Sequence, residues 1–586
     1  MARKGQGRST MDFDYDVVII GSGVTGALTA WRLSTDGRFK ILMIEAGKNG
    51  LDDQQRAQFV QAYQLAANKN VPSPYLQAEG GGHSFVPWSD GTGARDVMNQ
   101  YYDIKASPDL FKSGFMGLTG GSTWAWRGNT PRFIPNDFRL KTTYGVADDW
   151  PLDYATLEPH YVEAEKQLGV SGNTSEWDGL FGAFRSAPFP MPGIVSSYGD
   201  KLWKKALSGL VIDGVPVKAI TVPQARNSEH YDGRSACQGN STCVPLCPSG
   251  AKYDAGVHVK KALANGVAVW EHRTVTRLEA DAGGEVHSIH YRDLETADKA
   301  EKTVTGKVVV LAGNAIETPR LWLHSGLANQ SDQVGRNLMD HPGFELTGLF
   351  PERLYPFRGP QSTLSIESFR DGAFRKDGGA FRMTIGNDGW GRTEPPGVAL
   401  DHLMWDAGRG RFIRIGKRLQ QALADRVTRM GRISYSTEQL PDPNNRVELS
   451  DQKDPLGLPR PKITYKVDDY SKRALAYGFE VARRIWAHLE AQGAEEVKPN
   501  QPTFDYNGAG HIMGTMRMGS MASNSVVDAD GRAHEHPNLY VVGSSVFVTG
   551  STVNPTVTLA AVTLRTAEAI AQVVGGRHVQ VTTSPH

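Results

Sequence analysis

Short apolar runs recur along this chain, each closed by a glycine turn and followed by a helix-like pattern. The first lies in "YDVVIIGSGVTGALTAWRLSTDGRFKILMIEAG", which predicts a strand at Val17–Ile20, a turn, a helix, and a second strand at Ile41–Ile44 that ends on Glu45. A midchain "KVVVLAGNAIETPRLWLHSG" predicts a strand at Val308–Leu311, a turn at Gly313 and a helix. Near the other end, "HPNLYVVGSSVFVTGSTVNPTVTLAAVTLRTAEAIAQ" predicts a strand at Leu539–Val542, a turn at Gly543 and a long helix from about Pro555. Such distant strand–glycine–helix units join one parallel sheet when a second domain is threaded between them. Between them, "EQLPDPNNR" and "RVELSDQKDPLGLPRPKITYKVDD" read as strands of that second domain, joined by proline-rich turns.

Length agrees with this division, since 586 residues exceed what one core holds. With 39% apolar and 22% charged residues and a formal charge of +1, the chain is ordinary globular protein without the basic excess of a nucleic-acid binder. Runs such as "KVVVLAG" are too short to span a bilayer, and "MARKGQGRSTMDFDYD" lacks the apolar stretch of a signal peptide. A chain acting alone is therefore expected in the cytoplasm. One exported with a signal-bearing partner is expected on the periplasmic side of the inner membrane.

The first glycine turn carries chemistry. In Gly21-Ser-Gly23-Val-Thr-Gly26, between strand and helix, Gly21 permits the tight turn and Gly23 lets the backbone approach a pyrophosphate. Gly26 allows close helix–strand packing, and Glu45 is placed to take ribose hydroxyls. This dinucleotide fingerprint does not choose between NAD and FAD.

All three cysteines, Cys237, Cys243 and Cys247, fall within "SACQGNSTCVPLCPSG". Cysteines used as core filler would scatter, so the cluster asks for a chemical reason. An odd number leaves a disulfide framework one thiol over. Zinc would need a fourth ligand from elsewhere. An iron–sulfur cluster suits close spacing with a proline after the last cysteine, and Cys247 precedes Pro248. Zinc, a redox disulfide and a loop of reduced thiols remain open beside it.

Together, the fingerprint, "GGSTWAW", "AGNAIETPRLW", "VGRNLMDHP", "HIMGTMRMG" and "NPTVTLAA" resemble, in order and over nearly the whole chain, the glucose–methanol–choline (GMC) oxidoreductases. "ARNSEHYDGRSACQGNSTCVPLCPSGAKY", "RFIPNDFRLKTTYGV" and "DDWPLDYATLEPHY" are similar to the cluster-bearing catalytic subunits of bacterial FAD-dependent glucose, fructose and gluconate dehydrogenases. The resemblance implies an α/β fold: a Rossmann-like FAD-binding domain (12–150, 215–345 and 505–586) interleaved with an α+β substrate domain on an antiparallel sheet (151–214 and 346–504). It implies FAD, and a 3Fe–4S cluster on Cys237, Cys243 and Cys247. It further implies oxidation of a sugar or polyol hydroxyl by hydride transfer to flavin N5, with electrons leaving through the cluster. The partners implied are a small accessory subunit and a cytochrome or quinone-linked acceptor.

By the same resemblance His511 is the catalytic base and Asn554 the second active-site position, where an amide orients the substrate oxygen. A lone histidine is more often a hydrogen-bonded surface or core residue. Around His511, however, glycines at 508, 510 and 514 leave backbone room. The cofactor side is expected to take Gly120, Gly121, Ser122, Trp124 and Trp126 over the isoalloxazine, and Gly543, Ser544, Pro555 and Thr556 at the late helix. Asn554-Pro555 also reads simply as a helix start. Several relatives carry histidine between the two tryptophans. Here that residue is Ala125, so the FAD is expected to be held non-covalently. His341 reads as structural. Two other functions fit parts of the pattern: a stand-alone pyranose-oxidase-like enzyme that makes peroxide, and a flavin-fold binding protein without redox activity. The second would need neither His511 nor the cysteines.

Overall fold

The computed structural model describes residues 13–48, 51, 54, 57, 58, 61, 102–244, 246–387, 403–406, 410–502 and 508–576. The chain opens with β1 (Tyr15–Ile20), α1 (Val24–Ser34), β2 (Ile41–Ile44) and, later, α2 (Tyr154–Leu168). It continues through β3 (Ala219–Thr221), β4 (Ala268–Trp270), β5 (Gly306–Leu311) and α3 (Asn314–His324). Next come β6 (Gly343–Leu349), β7 (Ser362–Ile366), β8 (Phe381–Gly386) and β9 (Met430–Thr437). The last third holds β10 (Arg446–Lys453), β11 (Pro459–Thr464), α4 (Asp469–Glu490), β12 (Glu495–Lys498), β13 (Leu539–Val541) and α5 (Thr556–Val574).

The three glycine-closed runs do meet in one sheet. Its order is β13-β5-β1-β2-β4, all parallel, with β1 central. Strands buried on both faces need apolar residues at every position. Accordingly Val17, Ile19, Met43 and Val310 pack against α1, while Val18, Leu42 and Val309 enter the core on the opposite side. Helix α5 is long and apolar enough to cross a membrane by length and composition, but 61% of it is buried. It serves the core: Tyr161 of α2 and Thr558 of α5 share a hydrogen bond of 2.8 Å.

The second sheet is antiparallel, in the order β12-β6-β9-β8-β7-β3. Strict alternation gives it two unlike faces. Phe381, Met383, Ile385, Ile433, Tyr435 and Leu346 form one face, packed on Val481, Ile485, Trp486 and Leu489 of α4. Arg382, Thr384, Ser434, Ser436 and Glu345 form the other. Arg382 lies opposite Ser436, and Ser434 lies between Thr384 and Glu345. A sheet with an apolar back and a polar front is built to roof a polar cavity.

Two placements differ from the sequence pattern. Among the described strands β10 and β11 pair with each other and do not join the antiparallel sheet, while single bridges tie Arg446 to Arg336 and Lys462 to Asp103. Arg320 of α3 anchors them, donating from Nε to the Pro459 carbonyl at 2.7 Å and from Nη2 to Asp454 at 2.6 Å. Strand β3 adds to the edge of the antiparallel sheet, so the segment 215–345 feeds both sheets. Edge strands of three residues carry too little pattern to be assigned a sheet in advance.

Candidate active site

A cavity of about 520 Å³ runs from the carboxyl ends of β1 and β2 to the polar face of the antiparallel sheet. This is where open parallel sheets bind ligands. Gly21, Gly23, Glu45, Gly121, Ser122, Trp126, Gly543, Ser544, Asn554, Pro555 and Thr556 line it, with His341, His511, Arg382, Thr384, Ser434 and Ser436.

The dinucleotide end is set by backbone geometry. Gly21 has φ +107°, and a β-carbon there would stand 2.7 Å from the Ala312 carbonyl oxygen, so only glycine closes this turn. A β-carbon on Gly26 would fall 2.0 Å from the Gly21 carbonyl oxygen, which fixes how closely α1 approaches the turn. Gly23 has nothing within 4 Å of such a carbon, so its backbone faces open cavity at the start of α1. Such a helix start attracts phosphate. Glu45 is buried and held by three donors: Ser22 N at 2.8 Å and Ser22 Oγ at 2.7 Å to Oε2, and Gly47 N at 2.7 Å to Oε1. Burial lifts its carboxyl above the usual value. The remaining lone pairs are acceptors for ribose hydroxyls. An open glycine backbone, a helix start and an oriented carboxylate fit the adenine-dinucleotide half of FAD.

Not every residue assigned to the cofactor reaches the cavity. Gly120 and Gly26 sit behind its wall. Trp124 turns away: its ring is buried with Met116, Leu118 and Leu246, and its Nε1 donates to Thr119 O at 3.1 Å. Trp126 lines the cavity, with Nε1 donating to Tyr253 O at 2.8 Å. The turn at Gly121–Trp124 is a 3₁₀ helix, which rotates the two rings to opposite sides. Ala125 also lines the cavity and offers no atom for a covalent tether.

At the other end four side chains and a backbone carbonyl form a hydrogen-bonded line, and the chemistry of its ends fixes every proton. Arginine only donates. Arg382 Nη1 lies 3.2 Å from Asn554 Oδ1, so the Asn554 amide must turn its Nδ2 toward His511 Nε2, 3.0 Å away. At the far end a carbonyl only accepts, so the His341 nitrogen 3.0 Å from Gly550 O, Nε2, carries a proton. Neutral His341 then presents an unprotonated Nδ1, which accepts from His511 Nδ1–H at 2.8 Å. His511 is left with its lone pair on Nε2, facing the cavity. Burial pulls the His511 pKa well below its ordinary value, and the neighbouring His341 and the Arg382 guanidinium add to that; burial also lowers His341. The ring is a base held ready to accept a proton.

Backbone contacts fix both rings in place. Asp340 Oδ1 accepts from His341 N at 2.7 Å and from His511 N at 2.9 Å, and Asp340 Oδ2 takes the Ser113 hydroxyl. Ser113 Oγ in turn accepts from Gly510 N at 2.9 Å. The sequence reading missed Asp340, Ser113 and Arg382. It placed His341 in a structural role, whereas the structure puts its ring against the base. The adjacent "DHP" was the one available signal, for a pair that acts through one carboxylate.

A pH prediction follows. The groups facing His511 are His341, Arg382 with Glu367 behind it, and Asp340 through the backbone. A depressed pKa keeps the base unprotonated in mild acid. Anaerobic reduction of the bound flavin is therefore expected to hold its rate from about pH 8 to about pH 6. An ordinary imidazole would by then be roughly three-quarters protonated. Stopped-flow absorbance across that range checks it, and an inflection near pH ~6.5 would contradict it.

The cysteine loop abuts this cavity, since Val244, next to Cys243, lines it. Lys252, buried, donates to Trp124 O at 2.8 Å, Trp126 O at 2.6 Å and Cys243 O at 2.7 Å, tying the loop to the tryptophan turn. Burial brings the Lys252 ammonium down to about 8. Arg226 is also buried, with Nε and Nη1 lacking hydrogen-bond partners among the described residues. Burial pushes the Cys247 thiol up, but the Lys252 N–H and the Lys252 and Arg226 charges outweigh it and bring it below the ordinary value. Soft donors facing buried positive charge suit an anionic, thiolate-held group. Each sulfur has a local contact. Cys237 accepts from Gly239 N at 3.4 Å, Cys243 faces Asn240 O at 3.7 Å and Cys247 faces Ser249 Oγ at 3.7 Å. No three His, Cys, Asp or Glu side chains among the described residues form a group able to hold a metal ion. No disulfide joins the cysteines either. The three cysteines thus share one loop and one charge environment, and no cluster is shown on them.

Comparison with known proteins places this geometry. Residues 202–343 and 441–563 match the N- and C-terminal models of the GMC oxidoreductases. The chain is 36% identical over 566 residues to a fructose dehydrogenase large subunit from Gluconobacter japonicus, covering 95% of this chain and 97% of that one. It is 29% identical to a paromamine 6'-oxidase from Streptomyces fradiae, over 98% and 94% of the two chains. Among solved structures, pyridoxine 4-oxidase from Mesorbium loti superposes with a TM-score of 0.62 at 18% identity, covering 94% of this chain and 98% of the other. That likeness concerns the fold.

Proposed function

The chain belongs to the GMC oxidoreductase family, and from that premise we propose that it is an FAD-dependent dehydrogenase oxidising a hydroxyl of a sugar or polyol. The observation that carries the chemistry is the 3.0 Å contact between Asn554 Nδ2 and His511 Nε2 beneath the polar face of the antiparallel sheet. An alcohol oxygen inserted there accepts from the amide N–H and gives its proton to the imidazole lone pair. Bound in the cavity, FAD supplies the acceptor for the hydride that leaves the same carbon. Asn554 stabilises the negative charge that grows on oxygen as the proton departs. His511 becomes imidazolium while its Nδ1–H stays on His341, so the ring keeps its aim through the transfer.

Sugar is favoured over a simple alcohol by the roof. Arg382, Thr384, Ser434 and Ser436 offer hydroxyl and guanidinium groups where an apolar substrate would need side chains of another kind. The name of the Gluconobacter relative agrees, and its designation as a large subunit supports a partner chain here. The finer reading is that Cys237, Cys243 and Cys247 hold a 3Fe–4S cluster. Bound there, the cluster supplies electron transfer to a cytochrome or quinone-linked acceptor; an accessory subunit and export with it belong to this reading. Buried Arg226 and Lys252, and the loop's position against the cavity wall, support it.

The test is an absorption and EPR titration of the purified protein, under nitrogen, with D-fructose, D-glucose, D-gluconate and D-sorbitol. Bleaching of the flavin by at least one is expected, together with iron and an EPR signal of a three-iron centre. A flavin that none of them bleaches would overturn the sugar reading. Absence of iron would overturn the cluster alone. Rapid peroxide formation in air would favour the oxidase reading.

A further inference from the structure

The polar face of the antiparallel sheet carries a carboxylate that the line of hydrogen bonds described above leaves unused, that of Glu345. Cross-strand register sets this face out in rows. Gly343, Ser436 and Arg382 stand side by side in one row, and Glu345, Ser434 and Thr384 in the next. Arg382 holds Asn554, so the first row adjoins the reacting pair. Two residues along β6 span about 7 Å, which sets Glu345 one row away. Its side chain lines the cavity and keeps 34% of its surface exposed.

One of its two oxygens is already committed. Arg432, opposite Thr347 in the row beyond, donates from Nη1 to Glu345 Oε2 at 3.3 Å. The Arg432 side chain is fully buried, and Gly386 packs against it so closely that a β-carbon there would stand 2.5 Å from Nε and Nη2. Glu345 is thus tethered to a cation that is itself clamped in the sheet. Its Oε1 meets no donor among the described residues. We propose that Glu345 is a substrate-recognition residue whose carboxylate accepts from a sugar hydroxyl other than the one being oxidised. This rests on the reading of the substrate as a sugar or polyol.

Chemistry selects the class of group that Glu345 takes. A carboxylate only accepts, so what it meets must donate. Arg432 already balances its charge, which favours a neutral hydroxyl over a cation. The oxidised hydroxyl gives its proton to His511 and is not available to Glu345, so a second hydroxyl on the same molecule is required. Holding that second group one row away decides which carbon enters the reacting pair. A monohydric alcohol filling the cavity would cover the carboxylate without giving it a donor, which is costly.

The test measures anaerobic flavin reduction in wild type, Glu345→Asp and Glu345→Gln. The substrates are whichever of D-fructose, D-glucose, D-gluconate and D-sorbitol reduces the wild-type flavin fastest, and each of its singly deoxygenated derivatives. Product NMR identifies the oxidised carbon. In wild type, one derivative that keeps the hydroxyl on that carbon is expected to lose roughly 10- to 100-fold in second-order rate, the worth of one hydrogen bond to a charged group. Glu345→Asp keeps a negative charge facing Arg432 but draws it back by one methylene. There that gap is expected to narrow to within about threefold, because the parent compound has lost the same contact, while the gaps at other positions stay as they were. Glu345→Gln keeps size and shape without the charge and is expected to narrow the same gap. Should one variant fail to retain flavin, the other decides. A common loss across parent and derivatives would show a merely structural residue and overturn the proposal, as would gaps that neither variant changes. A wild-type flavin that none of the four compounds reduces would remove the sugar reading, and this proposal with it.

Discussion

His511→Ala is expected to keep FAD bound while turnover falls by roughly two to four orders of magnitude, the usual contribution of a positioned general base. The residues that would hold FAD are the turn at Gly21–Gly26, Glu45 and the start of α5, and of that region only Asn554, just before α5, bonds the His511 ring. No second base stands ready. Asn554 is an amide, and His341 has its Nε2 proton on Gly550 O and its Nδ1 lone pair turned to His511 rather than to the substrate. Anaerobic stopped flow separates the effects: the loss is expected in the limiting rate of flavin reduction, with the sugar still saturating. His511→Gln offers a control, since it keeps polarity and volume but carries no basic nitrogen. Near-normal reduction in a flavin-replete variant would remove the base assignment. A variant isolated without flavin would show instead that the ring supports the cofactor fold.

The dinucleotide half of this site was legible from sequence because it is local. Gly21, Gly23, Gly26 and Glu45 act within one strand–turn–helix–strand unit, so spacing alone carries their geometry. Asn554, just before α5, was picked out by its resemblance to a family motif rather than by spacing. Arg382 and Asp340 were not. Arg382 meets Asn554 across 172 residues and Asp340 meets His511 across 171, and no spacing rule reaches that far. In sequence Arg382 is one polar position in an alternating strand, indistinguishable from a solvent-facing arginine. Only the packing of that strand's apolar face on α4 shows that its polar face roofs a cavity. Trp124 and Trp126 illustrate another limit. Two tryptophans two residues apart promise one ring on the flavin, yet which one depends on a single turn of 3₁₀ helix at Gly121–Trp124 that composition does not specify.

Cys243→Ser is expected to separate substrate oxidation from electron delivery. Thiolate is the preferred ligand for iron–sulfur iron, and replacing one of three should release iron and sulfide. Lys252 bonds the residue 243 carbonyl, which the substitution leaves intact. The loop should therefore keep its place against the cavity wall, and FAD should stay bound. A sugar is then expected to bleach the flavin in one anaerobic turnover at close to the wild-type rate, because His511, Asn554 and Arg382 are untouched. Steady-state transfer to the natural acceptor is expected to collapse, while a small dye that reaches the flavin directly keeps much of its rate. Iron analysis, single-turnover absorbance and the two steady-state assays on one preparation distinguish the outcomes. Full activity with the natural acceptor after loss of iron would end the relay role. Loss of FAD and solubility together would mean that the cysteines hold the loop that Lys252 ties to the tryptophan turn, and that the buried cations serve the fold.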